Sequence, residues 1–266
     1  MQDKDEQLLK KRISELAALC YQRDIRSYTD FLTLNEQTIF HSMKRTLPPV
    51  TWLMGGGYET AERKIVCFLP SYEDETADLP ISILEAVPAS PRFAEALTHR
   101  DFLGAIMNLG ISRSCIGDIL MNENGCFIFC LEKMAPFLIQ ELKMVRHTQV
   151  SCRPATQAPA AAPNCETVSG SVASPRLDSV ISLVFKTSRS KTLPFIEGER
   201  VFIDGRLCIS PGRQLKEGEI ISVRGLGKFR YTGAGNQTKK GRLSSMPKNI
   251  YSPQIHAESY DSFSRR

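Results

Sequence analysis

Residues 176–230 read RLDSVISLVFKTSRSKTLPFIEGERVFIDGRLCISPGRQLKEGEIISVRGLGKFR, and their periodicity decides the fold of the C-terminal third. From Arg176 to about Phe185, Leu177, Val180, Ile181 and Val184 recur at the spacing of one helix face. Thr187 to Lys191 starts a second short helix, with Ser188 a good N-cap because its hydroxyl can accept from an orphan backbone N–H. Arg200–Gly205 then reads as a strand running into a turn at Asp204-Gly205. Arg206–Ile209 is the return strand, residues 214–218 form a further turn, and Glu219–Arg224 is a last strand. A helix pair followed by short strands implies a small α+β module with the helices on one face of a sheet.

Charge gathers in the same stretch. The chain carries a net +5, but residues 1–174 hold 17 Lys/Arg against 21 Asp/Glu, a balance of −4, while residues 175–266 hold 17 against 8, a balance of +9. Within 175–230 the count is 11 against 6, so the excess does not come from the tail alone. An acidic front and a basic back point to a polyanion partner at the back, although charge by itself leaves a solvated basic tail open. Arg176, Arg189 and Lys191 fall near helix starts, where backbone N–H groups already favour phosphate. Lys186 lies between the two helices, and the Ser188 and Ser190 hydroxyls can donate to phosphate or ribose. Arg200, Arg206, Arg213, Lys228 and Arg230 extend the positive surface along the hairpin. Lys239, Lys240 and Arg242 continue it.

Working outward, residues 153–165 are rich in Pro and Ala, cannot bury apolar area and read as a linker ahead of a basic domain over 166–245. Residues 246–266 read as a disordered tail. Before the linker, 63–152 give strands at Lys64–Leu69 and Ile81–Val87, then a helix from Thr98 carrying Phe102, Leu103, Ile106 and Leu109. A strand at Cys126–Leu131, a helix over Pro136–Val145 and a strand at Thr148–Cys152 follow. This β-β-α-β-α-β order suits a ferredoxin- or RRM-like α+β middle domain, without an aromatic-rich strand of the kind that stacks bases. Residues 1–60 read as a small helical N-terminal domain. One helix over 3–20 has Leu9, Ile13, Leu16 and Cys20 on one face, and a second is capped by Asn35 and ended by Pro48-Pro49. Gly55-Gly56-Gly57 lacks the Lys-Ser/Thr of a phosphate loop and reads as a hinge.

No apolar run reaches the length of a membrane helix, and the acidic start Asp3-Lys4-Asp5-Glu6 is unlike a secretory signal, so the expectation is a cytoplasmic protein. The 8 cysteines show no zinc spacing and read as free, buried thiols, with no metal and no cofactor implied. His99-Arg100-Asp101 invites an acid–base reading. Adjacent helical residues point in different directions, however, and no nucleophile is tied to them. His99 and Arg100 are therefore candidate RNA or protein contacts of the middle domain, and no catalytic residue is assigned.

Taken together, Arg176-Leu177-Asp178, the helix with Ser188-Arg189-Ser190, Val201-Phe-Ile-Asp-Gly205 and Gly218-Glu-Ile-Ile-Ser-Val-Arg224 resemble the α-L motif. This is the RNA-binding domain named for small-subunit ribosomal protein S-four. Leu97-Thr-His-Arg-Asp-Phe-Leu-Gly-Ala105, Leu109-Gly-Ile111 and Ile116-Gly-Asp-Ile119, with Val168–Asp178 and Thr238-Lys-Lys-Gly-Arg242, resemble the YlmH family of bacterial proteins. That resemblance implies a non-catalytic RNA binder of the large ribosomal subunit, meeting rRNA and tRNA and serving quality control on obstructed subunits. It also implies a gene context tied to cell division. Neither role is readable from composition or spacing. Three departures bear on the contact geometry of the hairpin: Pro194 inside the second helix, Glu199 where the family usually has Gly, and Asp204 where it often has Asn.

The expectation is a monomeric, non-enzymatic RNA binder without membrane contact. Two alternatives stay open: an RNA-modifying enzyme, since Arg176-Leu177-Asp178 also resembles the catalytic loop of pseudouridine synthases, and a cell-division interaction protein.

Overall fold

The computed structural model describes residues 2–155, 165–166, 168, 170–237 and 243–251. It is α+β and divides into two units, residues 1–161 and 162–266.

The first unit opens with α1 (Gln2–Arg23), which buries Ile13, Leu16, Ala17 and Cys20 at the expected spacing. β1 (Ser27–Tyr28), α2 (Leu34–Met43), β2 (Thr51–Gly55) and β3 (Ile65–Leu69) follow. The cap of α2 is Thr33, not Asn35. The Glu36 carboxylate accepts from the Thr33 N–H at 2.7 Å, and the Glu36 N–H donates to the Thr33 hydroxyl at 3.4 Å, a capping box legible as Thr-x-x-Glu. The expected helical domain also contains a sheet, ordered β1-β3-β2 and antiparallel. Its centre is the strand that sequence placed in the middle domain. All of β3 is buried: Val66 and Phe68 join the core of α1 and α2, while Ile65 packs with Phe31 and Leu131. A strand covered on both faces is continuously apolar and carries no alternation to show where it belongs. Nor do the three glycines form a hinge. A Cβ on Gly56 would stand 2.3 Å from the Arg63 carbonyl oxygen, so the glycine allows two segments of backbone to touch.

The unit continues through β4 (Ile81–Pro88), α3 (His99–Asn108), β5 (Ile116–Asn122), β6 (Gly125–Leu131), α4 (Ala135–Glu141), β7 (Met144–Val145) and β8 (Thr148–Pro154). Its sheet is ordered β5-β6-β4-β8-β7. Setting aside the two-residue β7, this is a β-α-β-β-α-β chain with its first and third strands central, the ferredoxin-like arrangement. The helix expected to reach Val145 stops at Glu141, because Met144 and Val145 turn back to pair with Gln149 and Thr148. α3 begins at the expected place, with the Asp101 carboxylate accepting from the Thr98 N–H at 2.9 Å. Cys126, Cys130 and Cys152 line the core beside Ile128 and Leu138. Burial pushes the thiols of Cys130 up to about 12 and Cys152 up to about 11, which fits inert packing. β8 runs to Pro154, so the linker expected from 153 begins inside a strand, with Pro154 opposite Leu84.

The second unit contains β9 (Cys165–Glu166), β10 (Gly170–Val172), α5 (Leu177–Val184), α6 (Arg189–Glu197), β11 (Val201–Ile203), β12 (Arg206–Leu207), β13 (Ile220–Val223), β14 (Gly227–Gln237) and β15 (Leu243–Tyr251). The strands form one sheet ordered β10-β15-β14-β13-β11-β12, with β9 also on β15. β15 carries the chain past residue 246, where the sequence suggested a tail. Pairing with β14 and β10 gives its backbone groups partners that composition could not foretell. Leu177, Val180, Ile181 and Val184 of α5 and Ile196 of α6 share a core with Val201, Ile203, Ile221, Val223, Phe229 and Tyr231. The helix pair therefore covers one face of this sheet. α6 persists through Pro194, whose missing N–H would have bonded the carbonyl of exposed Ser190, where water can replace it.

Candidate RNA-binding surface

The residues singled out in sequence fall into separate places. The first is the turn between α5 and α6. Lys186 takes a left-handed φ of 50°, and the next N–H, of Thr187, returns to the Ser182 carbonyl at 3.0 Å. This closes α5 with a Schellman-like end and reverses the chain. Ser188 stands at the N-cap position of α6 as expected, but its hydroxyl makes no capping bond to the backbone and lies 2.9 Å from that of Ser190. Lys186, Ser188, Arg189, Ser190 and Lys191 are all exposed. Two hydroxyls, two cations and the first N–H groups of α6 thus sit within one turn of helix, a combination that suits phosphate oxygens.

Two other predicted cations are committed internally. Arg176 sets its Nε and Nη2 against the two carboxylate oxygens of Asp178 at 3.1 and 3.0 Å. Burial alone would raise the Asp178 carboxyl, but the Arg176 guanidinium and the Ser179 N–H outweigh it and hold it below the usual range. Arg213 grips Glu219 in the same two-pronged way, at 3.0 and 2.9 Å. These arginines fasten the chain around α5, where the Leu177 N–H also donates to the Arg213 carbonyl at 2.9 Å. Both guanidinium groups thus brace the module internally while remaining partly exposed.

The third group lies on the sheet. Core residues alternate along β11, β13 and β14, so the residues between them face away from the helices. Lys228 and Arg230 are on that outer face, Arg206 is exposed at the start of β12, and Arg200, just before β11, lies over the ring of Phe195 of α6, 4.7 Å from its centroid. Sequence reasoning missed two members, Phe202 and Arg224: the Arg224 guanidinium lies over the Phe202 ring, 4.5 Å from its centroid. The period of two through Phe202, Ser222 and Arg224 was the signal that could have found them.

The departures from the family pattern have structural addresses. Glu199 has φ 58°, in the region that favours glycine. Asp204 has φ 47° and turns its carboxylate to the Ile220 N–H at 2.9 Å, where burial first, and Glu219 after it, push its pKa up. Lys239, Lys240 and Arg242 lie outside the described residues.

In the first unit, His99 and Arg100 are exposed at the start of α3. The imidazole reaches solvent yet is crowded by protein, and its pKa is lowered by that desolvation first and by Arg113 next. The Asp101 carboxylate is engaged by the Thr98 N–H and hydroxyl, the latter at 2.7 Å. Nearby, Arg63 and Arg113 meet on one carbonyl oxygen, that of Ile116, at 3.0 and 2.5 Å. Among the described residues no group of His, Cys, Asp and Glu is placed to hold a metal ion, and no helix is long and apolar enough to cross a membrane.

Comparison with known proteins adds to this geometry. Residues 75–158 match the family described as "Putative RNA-binding domain in YlmH", a span that begins before β4 and ends just after β8. A relative from Bacillus subtilis (strain 168), the ribosome-associated protein quality control protein P2, is 27% identical over 242 residues, covering 90% of this chain and 93% of its own. The solved structure of cell division protein ylmH from Streptococcus pneumoniae is 23% identical and covers 57% of this chain and 91% of its own, with a TM-score of 0.46. The match to the YlmH RNA-binding domain thus covers the ferredoxin-like sheet of the first unit, and the Bacillus subtilis relative is similar along nearly the whole length of both chains.

Proposed function

We propose that this protein is a non-enzymatic RNA-binding factor of the ribosome, in which residues 166–245 form an S-four-type α-L module that docks on folded RNA of the large subunit. The observation that carries this reading is the exposed start of α6. There Arg189, Lys191 and two hydroxyls surround a helix N-terminus on a helix pair packed against a sheet. That arrangement recognises phosphates held in a fixed shape. The middle domain, matched as an RNA-binding domain of the family, supplies a second contact, with His99 and Arg100 exposed at its helix start. The Bacillus subtilis relative is named for ribosome-associated quality control, which supports the same setting here, with rRNA and tRNA as the RNAs met. The protein acts as a monomer in the cytoplasm and uses no cofactor.

The test is sedimentation of the 266-residue chain with purified ribosomal subunits, followed by crosslinking and sequencing of the RNA adducts. Co-sedimentation with the large subunit and adducts in its RNA are expected. A chain that stays at the top of the gradient at low salt sinks the reading. So does a modified nucleotide that vanishes from rRNA when the gene is deleted, since that result would make the protein an enzyme.

A further inference from the structure

The outer face of the second unit's sheet has a composition of its own. Across β12, β11, β13 and β14 the register aligns Leu207, Phe202, Ser222 and Lys228 in one row. Beside that row stand Arg224, stacked on Phe202, and Arg230, paired across the ladder with Ile220. Leu207 and Ile209 are 44% and 60% exposed, unusual for apolar side chains. Two carboxylates at its edge are engaged: Asp204 accepts from the Ile220 N–H, and Glu219 is closed by Arg213, while Glu199 beside Arg200 is exposed. The row itself is therefore cationic with apolar edges and carries no carboxylate.

We infer that this sheet face binds unpaired RNA, with a base stacked on the Arg224 guanidinium that Phe202 holds flat. The guanidinium carbon stands 4.5 Å from the ring centroid and Arg224 is exposed, so a guanidinium lying flat on Phe202 offers its outer π-face to solvent. Bases stack on such guanidinium planes as they do on aromatic rings. Leu207 extends the platform by an apolar edge that a base can cover, and Arg230 offers charge to the backbone of the strand. Phosphate-tracking cations beside a stacking surface are how single strands are bound without pairing. A duplex keeps its bases stacked inside and has none to place here. Phe202 is a positioning residue and Arg224 the contact.

The inference goes beyond the α6 reading and rests with it on the premise that the chain meets RNA, so the experiment separates the two faces. Binding of the 266-residue chain to a fluorescent oligouridine and to a blunt RNA duplex is measured by anisotropy. Arg224→Gln, Phe202→Leu and the pair Arg189→Gln with Lys191→Gln are compared with wild type. Leucine keeps an apolar group at 202, and a thermal melt verifies that each variant is folded. Arg224→Gln and Phe202→Leu are expected to weaken oligouridine binding about tenfold and leave the duplex within about twofold. An oligouridine carrying 2-aminopurine is expected to be quenched by wild type and not by Phe202→Leu. Unchanged oligouridine affinity in both sheet variants overturns the inference, and so does an equal fall for oligouridine and duplex. A wild-type chain that leaves 2-aminopurine unquenched also overturns it and leaves the face to a protein partner. Should the Arg189/Lys191 pair alter neither probe while the sheet variants act as expected, the α6 reading fails and this one stands.

Discussion

Arg176 and Asp178 form a closed pair across one residue, with Nε 3.1 Å from Oδ1 and Nη2 3.0 Å from Oδ2. The carboxylate is buried and its partner is half exposed. Asp178→Ala removes the acceptor of both guanidinium contacts and of the Ser179 N–H, and is expected to cost about 1–3 kcal/mol. The Asp178 pKa is lowered, so its contribution is present above its ordinary value of 3.8 and is lost as pH falls through the lower folded value. Urea unfolding at pH 7 should separate wild type from Asp178→Ala, and the gap should narrow as pH falls below 3.8. A gap of the same size on both sides of that value would remove the ion pair from the account.

Asp204 has the opposite sign. Its pKa is raised, so its stabilising share is complete below the ordinary 3.8 and is lost as pH rises through the raised value, leaving a cost at neutral pH. Asn tolerates the φ of 47° and keeps an oxygen for the Ile220 N–H. Asp204→Asn is expected to raise stability at pH 7 by up to about 1 kcal/mol. It also removes an acid that interacts with Arg230, so RNA binding should tighten. A lower melting temperature at neutral pH would contradict this.

Glycines at Gly56 and Gly104 should respond in opposite directions. A Cβ on Gly56 strikes the Arg63 carbonyl oxygen, while one on Gly104, exposed inside α3, meets nothing within 4 Å. Gly56→Ala is expected to destabilise by about 1–3 kcal/mol through forced backbone movement. Gly104→Ala is expected to stabilise by about 0.5–1 kcal/mol by relieving the entropy cost of glycine in a helix. Chemical denaturation of the two variants decides it.

Salt dependence tests the electrostatic basis of binding. If about five phosphate contacts form on a duplex-like target, log K against log salt should slope near −4. Arg189→Ala should cost about 1–3 kcal/mol of binding and lower the slope, whereas Arg213→Ala should leave the slope in place because its charge is already closed by Glu219. Equal loss of slope in both would show that the internal pairing does not matter.

Legibility in the sequence followed the strength of local signals. Leu177, Val180, Ile181 and Val184 announced α5, and Thr98 with Asp101 announced the start of α3. β3 was readable as a strand but not as a member of its sheet, since five buried residues show no alternation. Asn35 is an equally good capping type two residues further on, and only the reciprocal bonds of Thr33 and Glu36 single out Thr33. Composition counted Arg176 and Arg213 as cations and could not see that Asp178 and Glu219 close them, because pairing depends on side-chain direction. Phe202 and Arg224 are 22 residues apart and meet only once β11 and β13 are laid side by side in register.

Alternation along β13 gives Ile221 and Val223 to the interior and Ser222 and Arg224 to the exterior. One strand thus writes both the stability and the recognition of this unit in interleaved letters. An insertion of a single residue between Gly218 and Ile220 that propagated along the strand would exchange the two texts, burying an arginine and baring isoleucine and valine. Any lengthening of that turn that leaves the protein working must therefore come in pairs, or be absorbed before the strand begins.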